Sequence, residues 1–223
     1  MKLSKRTIAL LKNYGSINPS ILVPKGSLLQ TIAISKNIVS YAEADETFPV
    51  EFAIYDVFEF LSVIELFKDP EFEFGEHSVT ISDSNSKCTY VYAEKTIIEY
   101  PKTKLNFPSA EIKFTLSKDC LDRLLKAANT LGLPYLCVTK VDNDIVIKVL
   151  DPKNPSSNAY SSVVGADTQD HEYDIYIKSE HMKMIKDDYE VSISSKLISQ
   201  FVSKDDVEFY IACEKNSTYT PAE

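Results

Sequence analysis

Glycine is scarce in this chain, five residues in 223, and the placement of the five removes whole classes of chemistry. Gly15, Gly26, Gly75, Gly132 and Gly165 stand far apart at expected element ends. Neither a G-x-x-x-x-G-K loop nor a G-x-G-x-x-G turn is present to cradle phosphates, so ATP use by this chain is not expected. Histidine is rarer still: His77, His171 and His181 stand in no H-E-x-x-H or comparable ligand spacing. His181, in Glu180-His181-Met182-Lys183, is expected on the surface of a helix. The four cysteines, Cys88, Cys120, Cys137 and Cys213, form no C-x-x-C pair and sit among apolar neighbours, which predicts reduced core residues. The acid pairs Asp187-Asp188 and Asp205-Asp206 fall between strand-like segments, where Asp favours turns over metal ligation. Neither a cofactor, a metal nor a catalytic residue is expected.

Long apolar runs are also missing. Nothing approaches the roughly 20 residues that span a bilayer, so no membrane segment is expected. Residues 1–5 lack an apolar core and a small-residue cleavage site, which argues against export and for an intracellular protein. In that setting the acceptor pattern Asn216-Ser217-Thr218 carries no meaning for glycosylation.

What the chain does have is a helix written twice. Residues 4–13, SKRTIALLKN, return as residues 117–126, SKDCLDRLLK, followed by Ala127-Ala128-Asn129. The spacing is about half the chain, so two copies of one domain are expected. The rest follows suit. Ser4 caps a helix to about Asn13, ended by residues 15–18; strands follow; Asp56 caps a second helix over residues 57–67, closed by Asp69-Pro70; more strands run to about residue 93. The second half gives a strand at 111–116, the helix capped by Ser117, further strands, a short helix at 179–185 and final strands. Residues 52–55 before the second helix resemble residues 173–176 before the fourth. Residues 94–110 hold two prolines and no clear period, as a connector would. The expected organisation is an N-terminal domain over 1–95, a connector over 96–110 and a C-terminal domain over 111–223. The class is α+β, with two helices per half covering a strand-rich layer.

Charge is segregated. Lys2, Lys5, Arg6 and Lys12 give residues 2–14 a charge of +4 with no acid among them. Lys118, Arg123 and Lys126 against Asp119 and Asp122 give residues 117–131 +1, and Lys178, Lys183 and Lys186 against Glu180 give residues 178–186 +2. These three segments hold +7 in a chain of formal charge −9, leaving −16 on everything else. An acidic body repels nucleic acid from most directions, whereas a locally basic helix face can still meet phosphates.

Several short stretches resemble a known family. Residues 1–5 (MKLSK), 9–13 (ALLKN), Ile17-Asn18, 41–44 (YAEA), 53–56 (AIYD) and Phe60-Leu61 are similar to the DNA polymerase sliding clamps of T-even-type bacteriophages. The resemblance is strong to about residue 68 and continues by order of elements. It implies a DNA-clamp fold of two similar domains, with helices lining the inside of a ring and β-sheets outside. It implies also a head-to-tail homotrimer encircling double-stranded DNA without sequence preference, acting with no enzymatic activity of its own. The implied partners are DNA polymerase, an ATP-dependent clamp loader and late-transcription factors, in the cytoplasm of an infected bacterium. On this reading Lys5, Arg6, Lys12, Lys118, Arg123, Lys126, Lys183 and Lys186 face DNA, with Lys2 and Lys178 weaker candidates. Flexible cationic side chains there would contact phosphates without reading bases.

Clients of such clamps insert apolar anchors from short terminal peptides near the interdomain connector. Ile98, Tyr100, Leu105 and Phe107, rimmed by Lys95, Lys102 and Lys104, are the candidate docking residues, Tyr100 and Leu105 foremost. The alternative is a scaffold or accessory protein of the replication machinery that does not encircle DNA.

Overall fold

The structure, a computed structural model, describes residues 1–221. The chain divides into two compact units between Lys104 and Leu105, inside the segment expected as a connector.

The first unit runs α1 (Lys5–Ile17), β1 (Ile21–Val23), β2 (Gly26–Ile32), β3 (Ile38–Phe48), β4 (Phe52–Ile54), α2 (Val57–Ile64), β5 (Glu71–Phe74), β6 (Ser78–Ser82) and β7 (Lys87–Val91). Ser4 caps α1: its Oγ accepts from the Thr7 N–H at 3.0 Å, satisfying one of the donors that a helix start leaves free. The helix does not stop before Gly15 as expected but continues to Ile17. A Cβ on Gly15 would lie 3.2 Å from Val57 and 3.3 Å from the Phe58 ring, so this glycine is a contact point between α1 and α2 rather than a terminator. Beyond Ile17 the chain turns away, and the Asn18 side chain accepts from the Ser20 N–H at 3.1 Å.

α1 buries Leu10, Leu11 and Tyr14 against β2 and β3. Each buried leucine contributes roughly 1.5–3 kcal/mol, and the Tyr14 hydroxyl accepts from Ser40 at 3.0 Å. α2 starts at Asp56, whose Oδ1 accepts from the N–H groups of Phe58 and Glu59 at 2.9 and 3.1 Å. It closes at Ile64, three residues earlier than expected, because Leu66 and Phe67 bond back to Val63 and Ile64 and tighten the last turn.

The second unit runs β8 (Ile112–Leu116), α3 (Lys118–Leu131), β9 (Tyr135–Val141), β10 (Asp144–Leu150), β11 (Tyr160–Ala166), β12 (Glu172–Lys178), β13 (Tyr189–Ser194), β14 (Ile198–Ser203), β15 (Glu208–Ala212) and β16 (Thr218–Thr220). One sheet has the order β11-β10-β9-β12-β16; in the other, β8, β13, β14 and β15 pair in turn. The Ser117 Oγ caps α3 through the Cys120 N–H at 3.3 Å, as Ser4 does for α1. Gly132 ends α3 in the left-handed region at φ 64°, a conformation a side chain would disfavour.

The repetition goes deeper than the helices. Met1 exchanges two backbone hydrogen bonds with Phe72 of β5, at 2.7 and 2.8 Å, where the second unit pairs β8 with β13. β1 pairs with β4 as β9 pairs with β12. The Ala93 N–H donates to Ala53 of β4 at 2.9 Å, a minimal counterpart of the β12–β16 pairing.

The repetition fails at the expected fourth helix. Residues 179–185 form only a single 3-10 turn, Ser179–His181, followed by irregular chain. The Ser179 N–H donates to the Pro134 carbonyl at 2.9 Å and the Lys183 N–H folds back on His181 at 2.8 Å, which stops helical propagation. His181 is therefore not a surface helix residue. It is buried with Met182 and Met184, and burial holds its imidazole pKa below the ordinary value. Cys120, Cys137 and Cys213 are buried, and burial pushes the Cys137 and Cys213 thiols up to about 12; Cys88 is half-buried in β7. Among the described residues no helix is long and apolar enough to cross a membrane.

Candidate nucleic-acid interface

The sequence places cations on helices, and the packing decides which of them remain available. On α1 the buried set Thr7, Leu10, Leu11, Tyr14 leaves an outer stripe that includes Lys5, Lys12 and Ser16, all exposed. Lys5 and Lys12 are seven residues apart, about 10 Å along the axis, and neither forms an ion pair among the described residues. Arg6 is different. Its guanidinium donates to the Glu43 carbonyl and lies 3.3 Å from Asp45, so it is half-buried and tied to β3. Lys2 pairs with Asp69.

On α3, Cys120, Leu121, Leu124 and Ala128 face inward, leaving Lys118, Arg123 and Lys126 exposed. The first turn of α3 is held electrostatically: Asp188 Oδ1 accepts the Lys118 N–H at 2.8 Å while Oδ2 meets Lys204 at 2.6 Å. A carboxylate at a helix N-terminus is favourable by the helix dipole, and these bonds hold the Asp188 carboxyl below its usual pKa range. Asp188 is thus a structural residue, and Asp206 takes a left-handed turn conformation at φ 55°.

Lys183 and Lys186 stand on irregular chain instead of the expected helix. Lys186 Nζ lies 2.8 Å from Asp122 of α3, so part of its charge offsets an acid on the same surface. Lys178 lies 3.5 Å from Glu180. Exposed and without an ion pair among the described residues are Lys5 and Lys12 on α1 of the first unit and, separately, Lys118, Arg123 and Lys126 on α3 of the second.

The proposed client residues separate as well. Ile98 is 3% exposed and packs with Leu22 and Ala53 inside the first unit, so it is core rather than an available anchor. Tyr100 packs half-buried against that cluster with Lys102 Nζ 3.4 Å from its ring centroid, a cation–π contact. In the second unit Leu105 and Phe107 are half-buried, the Phe107 ring 6.1 Å from Tyr210. Ile97, within the short 3-10 turn Lys95–Ile97, is the more exposed aliphatic neighbour.

Sequence reading missed a buried polar cluster in the second unit. His171 Nε2 lies 2.6 Å from Asp167 Oδ2 and Nδ1 lies 3.1 Å from the Tyr219 hydroxyl. The Tyr173 hydroxyl donates to the same Asp167 oxygen at 3.2 Å. The Asp-x-x-x-His spacing was visible, but Tyr219 reaches the cluster only through the pairing of β16 with β12.

Two like units, each with one cationic helix over antiparallel sheets and an otherwise acidic surface, define a clamp-type accessory protein for DNA. Similarity to known proteins places it further. The family described as "DNA polymerase processivity factor" matches residues 2–98, and that described as "gp45 sliding clamp, C terminal" matches residues 113–215. The sliding clamp of Vibrio phage KVP40 is 35% identical over 220 residues, covering 96% of this chain and 99% of that protein. That of Escherichia phage RB69 is 31% identical over 230 residues, covering 98% and 99%. The chain belongs to the phage sliding-clamp family of DNA polymerase processivity factors. Its fold is that of the Entamoeba histolytica proliferating cellular nuclear antigen, with a TM-score of 0.69 at 12% identity over 93% of this chain and 94% of that one.

Proposed function

We propose that this clamp closes with two further copies into a head-to-tail ring around double-stranded DNA and tethers the replicative DNA polymerase. The observation that carries this reading is the set of exposed cations without an ion pair on α1 and α3, against a chain of net charge −9. Contacts of that kind are phosphate-directed, salt-sensitive and indifferent to sequence, which suits a protein retained by topology rather than affinity.

Self-assembly has a physical basis in two strands that, among the described residues, pair on one side only. β7 pairs with β6 and β11 with β10. Their outer backbone groups are free to add another strand. Joining β7 of one copy to β11 of the next is a heterologous contact that can close into a ring.

The clamp acts without catalysis of its own in the cytoplasm of an infected bacterium. With no phosphate loop in the sequence, ring opening on DNA falls to a separate ATP-driven loader. Tyr100 in the first unit and Leu105 and Phe107 in the second remain the candidate contacts for polymerase and for late-transcription factors.

The test is topological. Loaded protein should stay on a closed circular duplex and leave when the circle is cut, while binding short linear duplex weakly. Comparable retention on both forms would favour a one-sided accessory protein instead.

A further inference from the structure

The cluster of Asp167, His171, Tyr173 and Tyr219 has no part in the cationic surface. Asp167 follows β11, His171 precedes β12, Tyr173 lies in β12 and Tyr219 is the middle residue of β16. His171 is 3% exposed and Asp167 9%. The second Asp167 oxygen accepts the Gln169 N–H at 3.0 Å, so the carboxylate is satisfied on both sides. An ionised carboxylate only accepts, which places a proton on His171 Nε2 and leaves Nδ1 for the Tyr219 hydroxyl. The His171 ring stands edge-on to Tyr173 and Tyr219, at centroid distances of 5.2 and 5.5 Å.

What this cluster holds is short. β16 pairs with β12 over three residues only, Glu172 with Thr220, Tyr173 with Tyr219 and Asp174 with Thr218. Thr218 and Thr220 are exposed, so Tyr219 is the anchor of the strand. The same segment continues the cover: the Tyr176 N–H donates to Ser217 Oγ at 2.9 Å and the Glu214 N–H to the Tyr176 carbonyl at 2.8 Å. Together, residues 214–220 occupy the outer side of β12 from Glu172 to Tyr176.

We propose that residues 214–220 are a strap, locked by the Tyr219–His171–Asp167 chain, that keeps β7 of a second copy from adding to the outer edge of β12. Strand β7 is five residues long, as is the covered stretch, and among the described residues no strand pairs with its second side. Its exposed Lys87 would meet the exposed Glu172 and Asp174 of β12. Uncovered, β12 would compete with β11 for the same incoming strand, and a copy joined there would not continue the ring. The strap thus selects one mode of assembly, and this inference rests on the ring reading above.

The test uses full-length protein carrying His171→Leu and Tyr219→Ala. Hydrogen exchange at residues 172–176 and 217–220 should rise steeply, and sedimentation should show species heavier than the unaltered assembly. A Glu172→Cys and Thr220→Cys bridge added in a Cys88→Ser background should restore the normal mass when oxidised and lose it on reduction. Should the double variant unfold, Tyr219→Phe removes only the hydroxyl. It is expected to speed exchange at 218–220 by about 2- to 10-fold, the worth of one hydrogen bond. Unchanged exchange in Tyr219→Phe overturns the lock. Released exchange without heavier species overturns the role of the strap and leaves the ring reading standing. Loss of retention on circles by the unaltered protein, in contrast, sinks the ring and not the strap's hydrogen-bond chain.

Discussion

Lys186 Nζ lies 2.8 Å from Asp122 Oδ1, joining irregular chain after the 3-10 turn to the exposed side of α3. Asp122 is an acid beside Arg123 on the surface proposed to meet phosphates, and Lys186 pairs with it. Asp122→Asn should therefore raise affinity for nonspecific duplex, and Lys186→Ala should lower it in the parent but much less in the Asp122→Asn background. Fluorescence anisotropy on the four proteins gives the coupling directly. Equal effects of Lys186→Ala in both backgrounds would make Lys186 an independent phosphate contact.

Lys12→Glu combined with Arg123→Glu should impair loading and processive synthesis. Neither side chain forms an ion pair among the described residues, so unfolding free energy should change by less than about 1 kcal/mol. The milder Lys12→Ala and Arg123→Ala pair should reduce the slope of log affinity against log salt by about 2 per subunit if both meet phosphates. An unchanged slope, with processivity intact, would remove these helices as the DNA face.

Gly15→Val tests the approach of the two helices in the first unit. The first added carbon would already sit 3.2 Å from Val57, and overpacking of this kind costs about 1–3 kcal/mol. Urea unfolding should show the loss, with no change in the salt dependence of DNA binding.

Burial lowers the His181 pKa, so the folded state binds its proton less readily than the unfolded chain does. Stability from this residue is full above about 6.5, the unfolded value, and is lost as pH falls from there through the depressed folded value. His181→Leu should flatten stability below about pH 6.5. An equally steep fall in the variant would assign the pH response to other groups.

Tyr100→Ala should weaken a polymerase-derived peptide by roughly 1 kcal/mol or more if the ring is an anchor. Assembly mass is the control, since Tyr100 also packs on the cluster of Leu22, Ala53 and Ile98. Ile98→Ala should instead lower the stability of the first unit, by about 2–5 kcal/mol.

Much of the two-unit plan was legible because local signals agreed with one another. Ser4 and Ser117 cap the helices they were expected to cap, and α3 leaves Arg123 and Lys126, both expected to face DNA, exposed. Failures came where distant residues decide. Gly15 reads as a stop until Val57 is known to lie against it. Residues 179–185 have helical composition, but Pro134 and the fold-back of Lys183 claim the backbone groups a helix would need. Arg6 and Lys186 read as free cations because Asp45 lies 39 residues from the first and Asp122 lies 64 from the second. Tyr219 drew no reading from the sequence, since a three-residue strand carries almost no pattern of its own.

The pairing of β16 with β12 also sets an order of events during synthesis. Ribosomes add about 5–20 residues per second, so the stretch from the end of β12 at Lys178 to the end of β16 at Thr220 takes roughly 2–8 s to be made. Through that interval the outer side of β12 is complete but bare, and it is covered only once residues 214–220 have been made and can reach it. A new subunit is thus open to mispairing for seconds after most of its core has been made. Chains stalled or cut short before Tyr219 would keep that edge open for as long as they survive.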